Sequence, residues 1–487
     1  MIVLLLAPSF TAAQTTVSVP SPLQVSEIEF LELGTSLELA KDAHALLRQY
    51  GTVLLTDFPL SRDESIDLEL ERFFVTTPVT RIVAGTQEGD IPVTPPDILL
   101  FRGHIAGMVD SSVVLGISAR GSYGVIWKNL DGYVLAPQAL VQEGEAGVSH
   151  AIQKLSDLEV EMPSTDTECG VHSAPVLLPM PTAPEGSEEA DGQFRYARIA
   201  LECDFDFWNQ FNNFDLALDY IYVLFSAGSD IYQRDLSVKL TLTYIRIWTT
   251  SDDPYSVTGG GCGGLHEFQD YWRAHHSTPG QPGYVERDIA HQLSSRPVGS
   301  CGNIGQLCKE YGYSLAGGIH TGSTLAESLL HDTYHAFHEI GHNFGGTHTH
   351  CLKDDSGNWI DKCAVESSCN QTQDCSTAPS TLMSYCHNCP GGYNNTRHEY
   401  HAKNIALMLN HTPCLRLVRN PCFVDWRNAS GTENGTSTYP YNTVKEGIEA
   451  VLPGGTVSIA NGNYDEQITI WQPMTLDAPG GTATVGE

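Results

Sequence analysis

Apolar and polar residues follow two different periods along the middle of this 487-residue chain. Runs that alternate with a period of two, typical of strands, are interleaved with runs whose apolar residues recur every three or four positions, typical of helices. These patterns predict strands at 196–203 and 238–248 and helices at 215–235, 265–275 and 323–344. Because strands and helices alternate and a loop-rich tail follows, we predict an α/β or α+β domain that ends near Val418.

The region before this domain has a different pattern. Between residues 20 and 165, short apolar or alternating runs such as 112–118 and 123–127 are separated by glycines, which predicts a β-rich unit. A proline-rich, acidic stretch follows at 175–192. It predicts an exposed linker, the kind of segment at which processing proteases cut.

The region after Cys422 predicts a third unit. Short strands are predicted at 456–460, 467–471 and 474–478, with Gly, Asn and Pro between them. This pattern resembles the first rungs of a right-handed parallel β-helix of the pectate-lyase type. Because solenoids need about three or more repeats to be stable, we expect this module to be truncated here.

Charge and the first residues indicate where the protein works. The 26 basic and 58 acidic residues give a formal net charge of −32, which argues against nucleic acid or an anionic membrane as partner. No run reaches the roughly 18 apolar residues that span a bilayer. Residues 1–13 predict a signal peptide, cleaved after Ala13 and lacking its positively charged start; the alternative is a buried N-terminal strand. We expect a secreted, extracellular protein.

The thirteen cysteines agree with export, because disulfides persist in oxidising compartments. One of them, Cys169, stands alone in the first 200 residues, and twelve lie between Cys203 and Cys422. Twelve cysteines can pair completely, which predicts that Cys169 is left over.

The segment His338-Glu-Ile-Gly-His-Asn-Phe-Gly-Gly-Thr-His348 carries the strongest chemical signal. Two histidines four positions apart lie on one face of a helix, so both His338 and His342 can reach one metal ion. Glu339 then lies beside the metal, and Gly345 allows the sharp turn that brings His348 back as third ligand. Three protein ligands leave one position open, which is typical of a catalytic zinc site.

This extended motif resembles that of the metzincin zinc peptidases, which also carry a methionine turn. The segment Thr381-Leu-Met-Ser-Tyr-Cys386 looks like that turn. The resemblance implies a twisted sheet with an active-site helix, one catalytic zinc ion and Glu339 as general base. It implies that Met383 lies beneath the metal as an apolar floor and that Tyr385 supports the tetrahedral intermediate.

Within the metzincins, the chain resembles the reprolysins (the adamalysin-like group), especially their bacterial secreted members. The likeness covers roughly residues 195–418 and includes Tyr-Gln-Arg-Asp at 232–235 and Arg-Asp-Ile-Ala-His at 287–291. Reprolysins commonly have Asp after the third histidine, where this chain has Thr349. His350 is therefore an alternative ligand, although its spacing fits less well.

Two further features of the sequence leave alternatives open. His331 and His335 precede the motif on the same predicted helix; a partly exposed helix face is favoured over cleft lining or a second metal site. The segment 354–358 offers carboxylates for calcium, with a solvated turn as the favoured alternative.

Cys169, in Thr-Glu-Cys-Gly-Val, resembles the cysteine switch of adamalysin propeptides. A thiolate there would occupy the open zinc position until the linker is cut and the propeptide leaves. The alternatives are a buried free thiol and a cysteine that pairs outside this sequence. The predicted organisation is a signal peptide at 1–13, a β-rich propeptide with its linker at 14–194, a metzincin-like peptidase domain at 195–418 and the start of a β-helix at 419–487.

The predicted function is therefore a secreted zinc endopeptidase, made as a latent precursor, that acts on proteins or peptides. The rival hypothesis is a surface adhesin or carbohydrate-binding protein whose peptidase-like domain is inert, with contact to polysaccharide or a cell surface through the C-terminal module. The complete set of ligands and base favours the enzyme.

Overall fold

The computed structural model describes residues 16–26, 34–129, 131–140, 148–157, 194–322, 324–366, 369–370, 372–451, 455–468, 470 and 474–486. We refer to residues 16–157 as the N-terminal unit, 194–418 as the central unit and 419–486 as the C-terminal unit. None of the helices in these ranges is both long enough and apolar enough to cross a bilayer.

The N-terminal unit is almost entirely β-structure, as its sequence predicts. Its elements are β1 Val17–Pro20, β2 Leu23–Val25, β3 Thr35–Leu39, α1 Ala43–Leu47, β4 Thr52–Pro59, β5 Ser65–Phe73, β6 Thr76–Thr86, β7 Gly89–Pro92, β8 Ile98–Ile105, β9 Met108–Ser118, β10 Gly121–Lys128, β11 Asp131–Pro137 and β12 Ser149–Lys154. Ten of these strands form one sheet in the order β1-β4-β5-β8-β9-β10-β11-β12-β3-β2. Its middle strands are buried on both faces, so apolar residues occupy consecutive positions there.

The central unit consists of a mixed sheet with helices. Its elements are β13 Arg195–Cys203, α2 Phe205–Phe211, α3 Phe214–Leu236, β14 Val238–Trp248, α4 Gly263–His275, β15 Ile289–Leu293, β16 Cys301–Gly302, β17 Tyr313–Ala316, α5 Leu325–Asn343, α6 Ala402–Leu409 and β18 Arg416–Leu417. The three predicted helices and both predicted strands of this region are confirmed. Nine of the eleven residues of β14 are buried, because both faces of the sheet are covered.

Two strands of the N-terminal unit complete the central sheet. Its order is β16-β17-β15-β13-β14-β6-β7, with β18 beside β13. Strands β17, β15, β13, β14 and β6 run parallel, whereas β16 and β7 are antiparallel to their neighbours and form the two edges. The sequence did not indicate that β6 and β7 would leave the N-terminal sheet, because the alternation of their residues is the same in either sheet.

The C-terminal unit contains short strands that pair in parallel. Its elements are β19 Cys422–Val424, α7 Val444–Ala450, β20 Thr456–Ile459, β21 Gly462–Tyr464, β22 Thr475–Asp477 and β23 Ala483–Val485. Two of the predicted strands correspond to β20 and β22. The described residues of 467–471 lie outside any strand. The parallel pairs agree with a β-helix, which stays a prediction.

The pairing of the cysteines corrects one prediction. Among the described residues there are five disulfides, Cys262–Cys301, Cys308–Cys414, Cys351–Cys369, Cys363–Cys386 and Cys375–Cys389. Cys203 and Cys422 are both buried and unpaired, so complete pairing of the twelve is wrong. They cannot pair because they lie in the separate apolar cores of the central and C-terminal units. The cysteine count therefore no longer singles out Cys169, which lies outside the described residues.

Candidate metal centre

Helix α5 places the first two histidines of the motif. It begins with a capping box, in which the Thr324 hydroxyl accepts from the Glu327 amide and the Glu327 carboxylate accepts from the Thr324 amide, both at 3.1 Å. His338 and His342 lie one turn apart, with ring centroids separated by 4.9 Å. Both side chains are buried.

The end of α5 brings in the third histidine. Two backbone hydrogen bonds end the helix. The Gly346 amide donates to the Gly341 carbonyl at 2.9 Å, and the Gly345 amide donates to the His342 carbonyl at 2.8 Å. This pair of bonds needs a left-handed residue after the helix, and Gly345 has φ of 98°. The chain then reverses, and the His348 ring lies 4.9 Å from that of His342. Gly345 thus stands at the left-handed position where the chain leaves α5 and turns towards His348.

Each of the three rings is held through its Nδ1 atom. The partners are the Leu382 carbonyl for His338 at 2.8 Å, the Gly346 carbonyl for His342 at 2.9 Å and a Glu366 carboxylate oxygen for His348 at 2.8 Å. Because a carbonyl oxygen only accepts, the Nδ1 atoms of His338 and His342 carry the hydrogen. A neutral ring of this tautomer has its lone pair on Nε2, the atom that binds a metal.

The three residues fit a zinc ion. One ligand nitrogen from each ring lies within 4.8 Å of the other two. The Nε2 atom of His338 is buried and has no hydrogen-bond partner in the described structure, which is costly unless a ligand binds it. Three neutral imidazoles are a usual set of protein ligands for a catalytic zinc ion.

The electrostatics of the site keep these rings neutral. Burial, with the neighbouring His342 and His348, lowers the pKa of His338 well below its usual value. Burial, followed by the effect of His348, lowers the pKa of His342 to about 3. Burial also lowers the pKa of His348, although its hydrogen bond to Glu366 opposes the shift. Near neutral pH, all three rings can therefore act as ligands without losing a proton.

Glu339 lies in the same turn of α5 as His338 and is buried. Its carboxylate does not belong to the cluster of ligand atoms that the three histidines form. The role of Glu339 beside the metal stays a prediction. Its backbone packs against edge strand β16, where a Cβ added to Gly302 would lie 2.3 Å from the Glu339 carbonyl oxygen.

Met383 lies in a turn that packs against α5. A Cβ added to Gly341 would approach the Met383 sulfur to 2.8 Å, so the thioether packs against the helix between His338 and His342. The Met383 carbonyl accepts from the Thr349 amide at 2.9 Å. The turn therefore supports both segments that carry the histidines, and Met383 itself is fully buried.

Tyr385 lies beside the histidine cluster. Its ring stacks on His338, with centroids 5.8 Å apart and an interplanar angle of 26°, and lies 4.6 Å from the His348 ring. The side chain is 7% exposed. The structure thus places Tyr385 next to two of the three predicted ligands.

Glu366 is a residue of the site that the sequence did not reveal. Besides His348, its carboxylate contacts Nε2 of His350 at 3.0 Å, and the two rings lie nearly parallel with centroids 5.1 Å apart. His350 is therefore outside the set of three rings, and the alternative in which it replaces His348 is not supported. The sequence gives little signal for Glu366, because contacts between residues far apart in the chain, among them the Cys351–Cys369 disulfide, bring its loop back to the motif.

Thr349 also has a defined role. Its hydroxyl donates to the Asp361 carboxylate, which accepts from the Ser380 hydroxyl at 2.8 Å as well. Asp361 is fully buried. Two further groups of residues with metal-binding atoms contain Glu366 or Asp361, but each includes cysteines that are joined in disulfides. Those groups support the motif instead of forming a second metal site.

His331 and His335 are buried, so the prediction of a partly exposed helix face is wrong. His335 contacts the Tyr393 hydroxyl at 2.8 Å and the Ser300 hydroxyl at 3.2 Å, and His331 contacts Asp332 at 2.8 Å. Neither ring belongs to a group of candidate metal ligands in the described part of the chain. The helix face is covered because the N-terminal unit and the loops after α5 pack over it.

The segment proposed for calcium, residues 354–358, forms a turn with hydrogen bonds between its own residues. Asp354 accepts hydrogen bonds from the amides of Ser356 and Asn358 at 2.9 and 2.8 Å. Among the described residues, it belongs to no candidate metal group. The contacts are those of an exposed turn, and they give calcium no support.

The match to a known protein family covers the region that contains this cluster of histidines. Residues 194–398 match the family model described as Metallo-peptidase family M12. These residues form a metallopeptidase-like domain of mixed helices and strands. Among the curated proteins, none matches the chain. Among solved structures, the chain is similar to metalloproteinase-II from Bacteroides fragilis, with 11% identity, coverage of 76% of this chain and 95% of that one, and a TM-score of 0.39.

Proposed function

We propose that this protein is a zinc-dependent endopeptidase. The observation that carries the proposal is the cluster of His338, His342 and His348, buried, neutral and held through Nδ1. Bound zinc would supply Lewis acidity, which activates water as a nucleophile and polarises the peptide carbonyl.

Three further residues of the chain would have separate roles in hydrolysis. Glu339, buried one residue after His338, takes the proton of the attacking water and returns it to the leaving amine. Tyr385, whose ring lies against His338 and His348, donates a hydrogen bond to the developing oxyanion. Met383 holds the turn beneath the histidines.

A protein substrate would lie extended along an edge of the central sheet, because an extended peptide can add to a sheet as a further strand. Of the two edges, β16 packs against α5 and touches the backbone of Glu339 through Gly302. The other edge, β7, belongs to the N-terminal unit. These contacts favour the β16 edge for substrate.

Export and latency are part of the proposal. Five disulfides in the central unit suit an oxidising, extracellular environment. In the latent form, Cys169 would bind the metal, and a cut in the 175–192 linker would break its covalent link to the peptidase domain and let it leave the metal. The resemblance of its sequence context to a cysteine switch supports this role.

The first test is Glu339→Gln, measured for zinc content and for hydrolysis of a denatured protein. We expect zinc at the level of the unsubstituted chain and activity lowered by roughly 100-fold or more, because only the general base is lost. The control is Glu310→Gln, an exposed acid paired with Arg273, which should keep full activity.

Activity is also measured before and after a cut in the 175–192 linker, with and without a zinc chelator. Activity that appears after the cut and disappears with chelator supports the latent peptidase. Zinc-loaded protein that stays inactive in both forms would contradict the enzyme and favour the adhesin. Full activity before the cut would contradict latency alone.

A further inference from the structure

The two main helices of the central unit are buried almost all round. Seventeen of the 23 residues of α3 and seventeen of the 19 residues of α5 are buried. A helix that packs on one sheet leaves its outer face in solvent. Here the outer faces are covered by the N-terminal sheet, through contacts of α3 with β8, β9 and β10 and of α5 with β11.

Apolar side chains of both units form a single core. The contributors from the N-terminal unit are Phe73, Val75, Ile82, Leu100, Tyr123, Val125, Val134, Ala136 and Leu155. They pack with residues of α3 and α5 such as Val223 and Phe337. The approach is close: a Cβ added to Gly116 of β9 would lie 2.4 Å from a methyl group of Val223. An interface of this kind resembles the interior of one domain.

Buried charges on α3 find their partners in the N-terminal unit. Arg120 donates two hydrogen bonds, at 2.8 and 2.9 Å, to the Asp219 carboxylate, which also accepts from the Ser118 hydroxyl at 2.7 Å. Arg120 and Asp219 are 6% and 1% exposed. Eleven residues further along α3, which is about three helical turns, the Asp230 carboxylate accepts from the Ser112 hydroxyl at 2.6 Å. The Arg120–Asp219 pair is desolvated and matches in geometry, which gives the contact specificity.

The backbone adds a third set of contacts. Strand β6 pairs with β14 in parallel, from Leu242 opposite Thr76 to Trp248 opposite Gly85. Beyond it, Asp90 of β7 accepts two hydrogen bonds from Arg246 of β14, at 2.7 and 2.8 Å. Removing the N-terminal unit would therefore expose an edge of the central sheet as well as two apolar helix faces.

From these contacts we infer that the N-terminal unit is a permanent partner of the central unit and stays bound after the chain is cut between residues 158 and 193. Retention is non-covalent, because all five disulfides of the described residues lie between Cys262 and Cys414. It follows that the active peptidase is a complex of two fragments and that the N-terminal unit is not discarded. This consequence for regulation rests on the proposed function.

The test uses the full chain with a recognition site for a sequence-specific protease inserted between residues 186 and 187, in the Glu339→Gln background so that self-cleavage plays no part. After cutting, we expect both fragments to elute together in size-exclusion chromatography, at the volume of the uncut chain. Non-reducing denaturing electrophoresis should separate them. Elution of two separate fragments in native buffer would overturn the inference, whatever the peptidase activity of the unsubstituted chain.

Two variants test the interface itself. Arg120→Ala should raise the dissociation rate of the cut complex roughly tenfold or more, because it leaves the Asp219 carboxylate without its guanidinium partner. The control is Arg48→Ala, which removes an exposed pair with Asp97 inside the N-terminal unit. Gly116→Val, which presses on Val223, provides a second variant if the first fails to fold. Equal dissociation rates in the control and both interface variants would show that these contacts do not hold the two fragments together, and would overturn the inference.

Discussion

At the scale of single residues, the site depends on how each histidine is held. His348 differs from the other two because a carboxylate, Glu366, contacts its Nδ1 atom. A partner of this kind fixes the ring and makes it a stronger ligand. Glu366 therefore positions the third ligand.

We predict that Glu366→Gln weakens zinc binding roughly 10- to 100-fold, because the amide keeps the shape of the side chain but loses its charge. The measurement is a competition titration of the apoprotein with a chromophoric chelator. Asp354→Asn is the control, since that carboxylate closes only its own exposed turn. Unchanged affinity in Glu366→Gln would mean that the carboxylate does not orient His348.

At the scale of secondary-structure elements, the site depends on the crossing of α3 and α5. Gly228 of α3 lies against the Phe337 ring of α5, where an added Cβ would come within 1.9 Å of the ring. Phe337 directly precedes His338. The close crossing thus sets the position of the helix that carries two ligands.

We predict that Gly228→Ala lowers the free energy of unfolding by about 1–3 kcal/mol, because overpacking outweighs the roughly 0.5–1 kcal/mol that alanine gains in a helix. Urea denaturation measures the change. The control is Gly480→Ala, where nothing lies within 4 Å of an added Cβ. A variant as stable as the unsubstituted protein would show that the two helices can move apart without loss.

At the scale of the whole molecule, buried neutral histidines link stability to pH. Burial lowers the pKa of His150 and His276 to about 4, and that of His291 and His398 to about 3. In the unfolded chain, their pKa values return to about 6.5. Because the folded values are the lower ones, the unfolded state binds more protons below pH 6.5. This contribution to stability is complete above pH 6.5 and is lost as the pH falls towards 3–4.

We therefore predict that the free energy of unfolding falls between pH 6.5 and 4.5 by roughly 1.4 kcal/mol per pH unit for each of these histidines. Urea midpoints measured across this range test the slope. His291→Asn keeps a donor for the contact with Ser314. It should reduce the slope by the contribution of one histidine, roughly 1.4 kcal/mol per pH unit. If this substitution left the slope unchanged, His291 would not contribute to the pH dependence of stability, contrary to the prediction.

The local sequence determined most of the metal centre. His338, His342 and Gly345 lie within two turns of one helix and its end, so their spacing alone fixes their relation. The same holds for the helices at 215–235 and 265–275, whose apolar residues recur with a helical period. These features depend on neighbours within a few residues, which is why they could be predicted.

Only the tertiary structure decided what depends on residues far apart in the chain. Glu366 reaches His348 through a disulfide-closed loop, the described cysteines leave Cys203 and Cys422 unpaired, and His331 is covered by packing. Strands β6 and β7 join the central sheet although their residue pattern suits either sheet. A pattern of apolar residues shows that a face is buried, but the identity of the element that covers it follows from long-range packing alone.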